Sequence, residues 1–183
     1  LPIGLESRRR CMRLLPQTGG SYTPQGTNVI RIDLPPSIGF LDTENSYLKF
    51  TVKIDAAVMN TNKPIFMDKS AMSWCDKFDC ISNNGSVLES VSDYNLLVNL
   101  LHKATSPDDY RTTTGSMLDN QGSRAQRMGN LASIEGRTFC VGLDASGIFG
   151  SGNSKYLPCK FIQGSLTIEL SLASFSDTFV GTS

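Results

Sequence analysis

Apolar and polar side chains alternate along the chain in several short runs, and a period of two marks strands with one face in a core and one in water. The first run is Ile30-Arg31-Ile32-Asp33-Leu34. Pro35-Pro36 ends it, because proline supplies no ladder donor and restricts the residue before it, and Gly39 and Asp42 continue the turn. The longest alternation runs from Tyr47 to Asp55 and puts Leu48, Phe50, Val52 and Ile54 on one face. Pro64-Ile65-Phe66-Met67 reads as a brief pairing segment. Trp74 to Ile81 leads through Asn83-Asn84-Gly85 into Ser86-Val87-Leu88-Glu89, which predicts two short strands around a hairpin. From Ser92 the period lengthens, so that Tyr94, Leu97, Val98 and Leu101 share a helical face. Ser92 or Asp93 is available as N-cap, and His102-Lys103 stand at the negative end.

Residues 104–136 show neither period and form a long excursion, too long for an idle connection. Patterning resumes at Phe139-Cys140-Val141-Gly142-Leu143, breaks at Gly147-Ile148-Phe149-Gly150-Ser151-Gly152, and returns at Tyr156-Leu157-Pro158. The closing alternation, Leu166-Thr167-Ile168-Glu169-Leu170-Ser171-Leu172, is as clean as the first. Seven or eight strands with one wet face and a single helix predict an all-β protein of antiparallel sheets packed face to face. The long connections suit a Greek-key or jelly-roll winding better than an up-and-down barrel. Residues 1–26 stand apart as a basic arm, with Arg8, Arg9, Arg10 and Arg13 against one acid and no periodicity. Residues 27–175 form the β domain, and 176–183 a C-terminal tail.

Composition narrows this picture. With 183 residues and 19.9 kDa, the chain has room for one core, and its size does not demand disulfide or metal staples. Apolar residues make up 39%, charged residues 19%, and 17 basic side chains balance 17 acidic ones. That excludes a highly charged disordered chain and a globally basic nucleic-acid wrapper. No apolar run is long enough to cross a bilayer or to drive secretion, so neither a membrane span nor export is expected. Cys11, Cys75, Cys80, Cys140 and Cys159 are odd in number and lack paired C-x-x-C spacing, which reads as reduced, buried thiols. The sequon Asn84-Gly85-Ser86 is more simply a tight turn.

Candidate chemistry is sparse. His102 is the only histidine, so any Ser-His-Asp or Cys-His mechanism would have to use it, and a helix-end cation is the simpler reading. Cys75 and Cys80 do not have zinc-ligand spacing. Asp108-Asp109 and the Asp76/Asp79 pair read as solvated surface acids. The glycine-rich segment at 147–152 lacks the order and the following helix of a phosphate cradle. No catalytic residue, metal site or cofactor is therefore expected. The four arginines of the arm are the one candidate site, for weak, salt-sensitive contact with nucleic acid or for clasping another subunit.

Taken in order, these segments resemble a known family. Gly20-Ser21-Tyr22-Thr23-Pro24, Asn28-Val29-Ile30-Arg31-Ile32, Phe40-Leu41-Asp42 and Ser46-Tyr47-Leu48-Lys49-Phe50 are similar to the opening of double jelly-roll major capsid proteins of eukaryotic DNA viruses, especially the polinton-like and adintovirus-like group. Arg137-Thr138-Phe139, Gly147-Ile148-Phe149-Gly150, Lys155-Tyr156-Leu157-Pro158 and Leu166-Thr167-Ile168-Glu169-Leu170 resemble the closing strands of their first, N-terminal jelly roll. The resemblance covers most of residues 20–175 and rests on strand rhythm and loop phrases. It implies an eight-stranded antiparallel jelly-roll sandwich of two four-stranded sheets, with the helix in an inter-strand loop. It also implies a shell subunit of an icosahedral virion, assembled inside the host cell into trimeric, pseudo-hexagonal capsomers with copies of itself and other capsid proteins.

The length departs from that family, since 183 residues hold one roll. Either the chain is the N-terminal portion of a longer product, with 176–183 leading to a second roll, or it is a single jelly-roll penton or minor capsid protein. A start at Leu1 favours the portion. The arm, the excursion and the tail are the expected contacts between chains, mobile in the isolated subunit. Two other functions compete. A carbohydrate-binding β-sandwich would use Trp74 with Tyr22, Tyr47 or Tyr110 as a sugar platform, and a cupin-like metalloenzyme would want several histidines where this chain has one.

Overall fold

A computed structural model describes residues 9–54, 65–67, 70–105, 111, 114–121, 123, 136–150 and 156–181. Within them lie ten strands: β1 Val29–Leu34, β2 Leu41–Asp42, β3 Leu48–Val52, β4 Ile65–Met67, β5 Cys75–Ser82, β6 Val87–Val91, β7 Arg137–Val141, β8 Tyr156–Leu157, β9 Leu166–Leu172 and β10 Phe179–Gly181. Every pairing among them is antiparallel. The one substantial helix is α1, Tyr94–Thr105, joined by two single-turn helices, α2 Thr114–Leu118 and α3 Phe175–Thr178. The protein is thus mostly β, as the period of two predicts.

The largest sheet has the order β1-β9-β5-β6, and three two-stranded pairs, β3-β7, β2-β8 and β10-β4, complete the set. Its register explains why the two cleanest alternations are clean. Ile30, Ile32 and Leu34 stand opposite Leu170, Ile168 and Leu166. One face is therefore aliphatic, and the other carries the cross-strand pairs Arg31–Glu169 and Asp33–Thr167. The Arg31 Nε approaches Glu169 at 2.7 Å, and the Thr167 hydroxyl donates to Asp33 at 2.8 Å.

β5 is central, and its sequence alternates poorly because its ladder with β9 shifts register between Cys75 and Lys77. Phe78 and Cys80 nonetheless stand opposite Leu170 and Ile168, on the core side. The β5–β6 hairpin turns at Asn83-Asn84-Gly85, with Gly85 at φ +83 and the Ser82 amide donating to the Ser86 carbonyl at 2.8 Å. That is the tight turn read from Asn-Gly.

The β3-β7 pair forms the facing layer. Phe50 lies opposite Phe139 and Leu48 opposite Val141, and Phe50 meets Trp74 edge-on at 5.2 Å. These side chains join Ile32, Leu34, Phe78, Leu166, Ile168 and Leu170 in one hydrophobic cluster. Helix α1 closes one end, with Tyr94 stacked on Phe78 at 5.5 Å and Val98 buried beside it. Gly136, which leads into β7, has φ +77, and a Cβ there would lie 2.3 Å from the Val52 carbonyl oxygen. Only glycine fits that approach.

One boundary moves, and one segment gains an element. The ordered body does not stop at 175: Ser174 caps α3 through the Asp177 amide, buried Thr178 donates to the Ser73 carbonyl at 3.4 Å, and β10 pairs with β4. Residues 176–181 are part of the fold rather than a tail, because Phe179 packs against the core and its strand supplies a partner for β4. The excursion, most of which lies outside the described residues, contains α2, which aperiodic sequence did not predict. That turn is held by tertiary contacts described below.

Candidate interaction surface

The arm, expected to be free, lies along the body where it is described. It has no strand or helix between residues 9 and 26. Even so, the Gln17 amide donates to the Arg31 carbonyl at 2.8 Å, its side chain donates to Asp33, and Leu14 packs against the core. The outer edge of β1 is guarded in this way. Of the four predicted site residues, Arg8 lies outside the described residues. Arg9 bridges to Asp42 at 2.6 Å, Arg10 donates to the Ser37 carbonyl at 3.3 Å, and Arg13 is exposed.

Arg9 and Arg10 therefore sit at one corner, built by the β2-β8 pair and two 3-10 turns, Pro36–Ile38 and Cys159–Phe161. Leu41 and Asp42 pair with Leu157 and Tyr156, and the Lys160 amide donates to the Gly39 carbonyl at 2.9 Å. The aliphatic side chains here, Ile38, Leu41, Leu157 and Ile162, pack inward on the core. The aromatic ones do not: Phe161 is 74% exposed, Tyr156 65% and Phe40 58%. Phe40 and Phe161 meet edge-on at 5.9 Å. Sequence reading missed these rings, because they stand in turns and at a strand start, where no period assigns a face. Their one sequence signal is an aromatic residue directly after Gly or Lys in a break between alternations.

A second exposed apolar surface lies at the α1 end. Leu96 and Leu100, one turn apart on the outer face of the helix, are exposed, as are Met117 and Leu118 of α2. α2 is tied to α1 by a buried polar junction. Asp119, 2% exposed, accepts from the Ala71 amide at 3.1 Å and lies 3.0 Å from His102 Nδ1, while Gln121 donates to the same carboxylate. Neighbouring Asn120 donates to the Met67 carbonyl at 3.0 Å. Arg111 caps the end of α1, donating to the carbonyls of His102 and Lys103 at 2.9 and 2.8 Å. His102 is thus more than a helix-end cation. It is half-buried and oriented by a carboxylate, a partner no sequence spacing announces.

Other expectations are corrected in the same way. Trp74 is 9% exposed and belongs to the core, so no sugar platform centres on it. Tyr47 is exposed and Tyr22 half-buried, while Tyr110 lies outside the described residues. Asp76 is exposed as expected, but Asp79 is buried beside Glu169, with Lys77 Nζ at 2.8 Å. Central placement of β5 between two neighbours removes it from water. Asp108 and Asp109 lie outside the described residues.

The glycine-rich loop does aim amides at an anion, namely the protein's own Glu89. Its carboxylate accepts from the Ser146 hydroxyl at 2.8 Å, from the Ile148 amide at 3.0 Å and from the Gly147 amide. Ser146 Oγ in turn accepts from the Ile148 and Phe149 amides. Residues 151 and 152 of that segment are outside the described residues.

All five thiols are free. Cys75, Cys80 and Cys159 are buried, Cys140 half-buried, and Cys11 exposed, a correction for the last two. Burial pushes the Cys80 thiol up to about 11, with the Glu89 carboxylate adding to the effect, and raises Cys75, Cys140 and Cys159 as well. Among the described residues no group of three or more His, Cys, Asp or Glu side chains is placed to hold a metal ion. No helix among them is long and apolar enough to cross a membrane. Compared with protein-family models, curated proteins and solved structures, the chain gives no significant match.

Proposed function

We propose that this chain is a structural subunit of a viral shell. It folds as a jelly roll and assembles with copies of itself, as a trimeric capsomer, and with other capsid proteins into an icosahedral virion inside the host cell. As a single roll, it serves as the first roll of a major capsid protein or as a penton or minor capsid protein. The observation that carries the reading is the apolar side chains exposed on the helices, above all Leu96 and Leu100, one turn apart on α1, and besides them Met117 and Leu118 on α2. Apolar side chains clustered on an exposed helix face mark contact between chains. The adjacency of β1 and β9, first and last of the long strands, supports the winding, since a jelly roll closes by laying its two ends side by side. The balanced, weakly charged surface also suits neutral faces that fit one another.

Size-exclusion chromatography with light scattering tests this directly. The full chain is expected to run as a trimer or larger species, and Leu96→Glu with Leu100→Glu to run as a monomer with unchanged circular dichroism. A persistent monomer of the unaltered chain overturns the proposal.

A further inference from the structure

The aromatic corner has a composition different from the α1 end. Its aliphatic residues are turned inward, leaving Phe40, Tyr156 and Phe161 exposed among cations. The segments that build it, residues 9–13, 36–44 and 156–161, hold Arg9, Arg10, Arg13 and Lys160 against Asp42 and Glu44, four cations to two carboxylates. Asp42 is already held by Arg9 at 2.6 Å and by the Asn45 side chain at 3.0 Å, so its charge is locally answered. Arg10 and Lys160 stand on the segments that carry the rings or contact them, Lys160 directly before Phe161 and Arg10 on the Ser37 carbonyl.

We propose that this corner binds single-stranded nucleic acid, with unpaired bases stacked on Phe161, Phe40 and Tyr156 and the phosphates alongside met by Arg10 and Lys160. Flat rings accept the face of any base, and flexible cations track the backbone, so recognition is tolerant of sequence and sensitive to salt. A duplex hides its base faces and offers the rings nothing. The proposal goes beyond the shell reading and does not need it, since every residue it names belongs to one chain.

The test is fluorescence anisotropy of the full chain with a labelled oligothymidylate of roughly 16 nucleotides, the upper site size of a small β domain. A labelled duplex of the same length is run beside it. The single strand is expected to bind more tightly than the duplex. Its affinity should fall with log salt at a slope of about −1.4, from two phosphates at about 0.7 each. Phe40→Ala with Phe161→Ala is expected to weaken single-strand binding roughly tenfold to a hundredfold. Arg10→Gln and Lys160→Gln should each flatten the slope by about 0.7. Trp74 emission monitors folding in each variant. Absence of binding at low salt, equal affinity for duplex, or indifference to the aromatic double variant overturns the proposal. So does loss of self-association in that variant with oligonucleotide binding intact, which would make the corner a protein interface and leave the α1 contact untouched.

Discussion

Glu89 is the clearest case of one side chain holding two distant parts of the chain. It stands on edge strand β6, and its carboxylate gathers the Ser146 hydroxyl and the Ile148 and Gly147 amides, pinning the turn that carries buried Phe149 onto Phe78. Glu89→Ala leaves these donors without their acceptor. A hydrogen bond to a charged group contributes about 1.5–3 kcal/mol. The Gly147 bond is exposed and counts for little, and screening lowers the two part-buried ones, so the expected loss is about 3 kcal/mol. Glu89→Gln keeps one acceptor oxygen but turns an amide toward donors, for a loss of about half that. Urea unfolding followed by Trp74 emission reads the difference, because Trp74 is the only tryptophan and sits in the core. A double-mutant cycle with Ser146→Ala should show coupling of about 1 kcal/mol or more. Glu89→Ala within about 0.5 kcal/mol of the parent, or strict additivity with Ser146→Ala, would refute the staple.

Three further outcomes are expected. Asp119→Ala should cost about 3 kcal/mol in the same assay, since it takes a buried acceptor from His102 and Gln121 and leaves the Ala71 amide only the backbone carbonyl of residue 119, whereas Asp119→Asn, which keeps one side-chain oxygen, should cost about 1 kcal/mol; equal losses would mean that the retained oxygen contributes nothing and the charge alone decides. Gly136→Ala should cost more than about 2 kcal/mol, whereas Gly39→Ala, at φ +80 with nothing within 4 Å of the added carbon, should cost about 1 kcal/mol; a reversed order would contradict the close approach to Val52. On the alkaline side, the unfolded thiol of Cys80 releases its proton near 9 while the folded one holds it to about 11. The protein should therefore be fully stabilised by this group below pH 9, lose that contribution as pH rises through about 11, and lose less in Cys80→Ala. A flat profile between those values would count against burial of the thiol.

The strands and the helix were legible where one face alone is buried. β1, β9 and α1 announce themselves because a one-faced sheet buries every second side chain and a surface helix every third or fourth, so water selects the polar ones between them directly. β5 was blurred for the opposite reason: it has neighbours on both edges and a register shift at Cys75–Lys77, so Asp79 can be buried against Lys77 without any periodic sign. Arg9 and Arg10 were visible as charge, but the aromatic rings beside them were not. Phe40 and Phe161 lie more than a hundred residues apart and meet only because β2 pairs with β8. The contacts of the arm and of the residues after 175 were not legible, since the two hydrogen bonds from Gln17 to β1, the β10-β4 pairing and the bond from Thr178 to Ser73 leave no pattern along a sequence.

Local solvation is a property of neighbours along the chain, and that is why the all-β character, the position of the helix, the Asn-Gly hairpin and the basic arm follow from residue order alone. The partners of lone polar groups are a property of distance in space. His102 with Asp119, Glu89 with the turn at 146–148, and the exposed rings at the β2-β8 corner were decided only when segments far apart in the chain were brought together. Folding supplied that meeting, because burying Phe78, Phe139 and Leu170 in one core draws together the strands that carry them and the turns those strands end in.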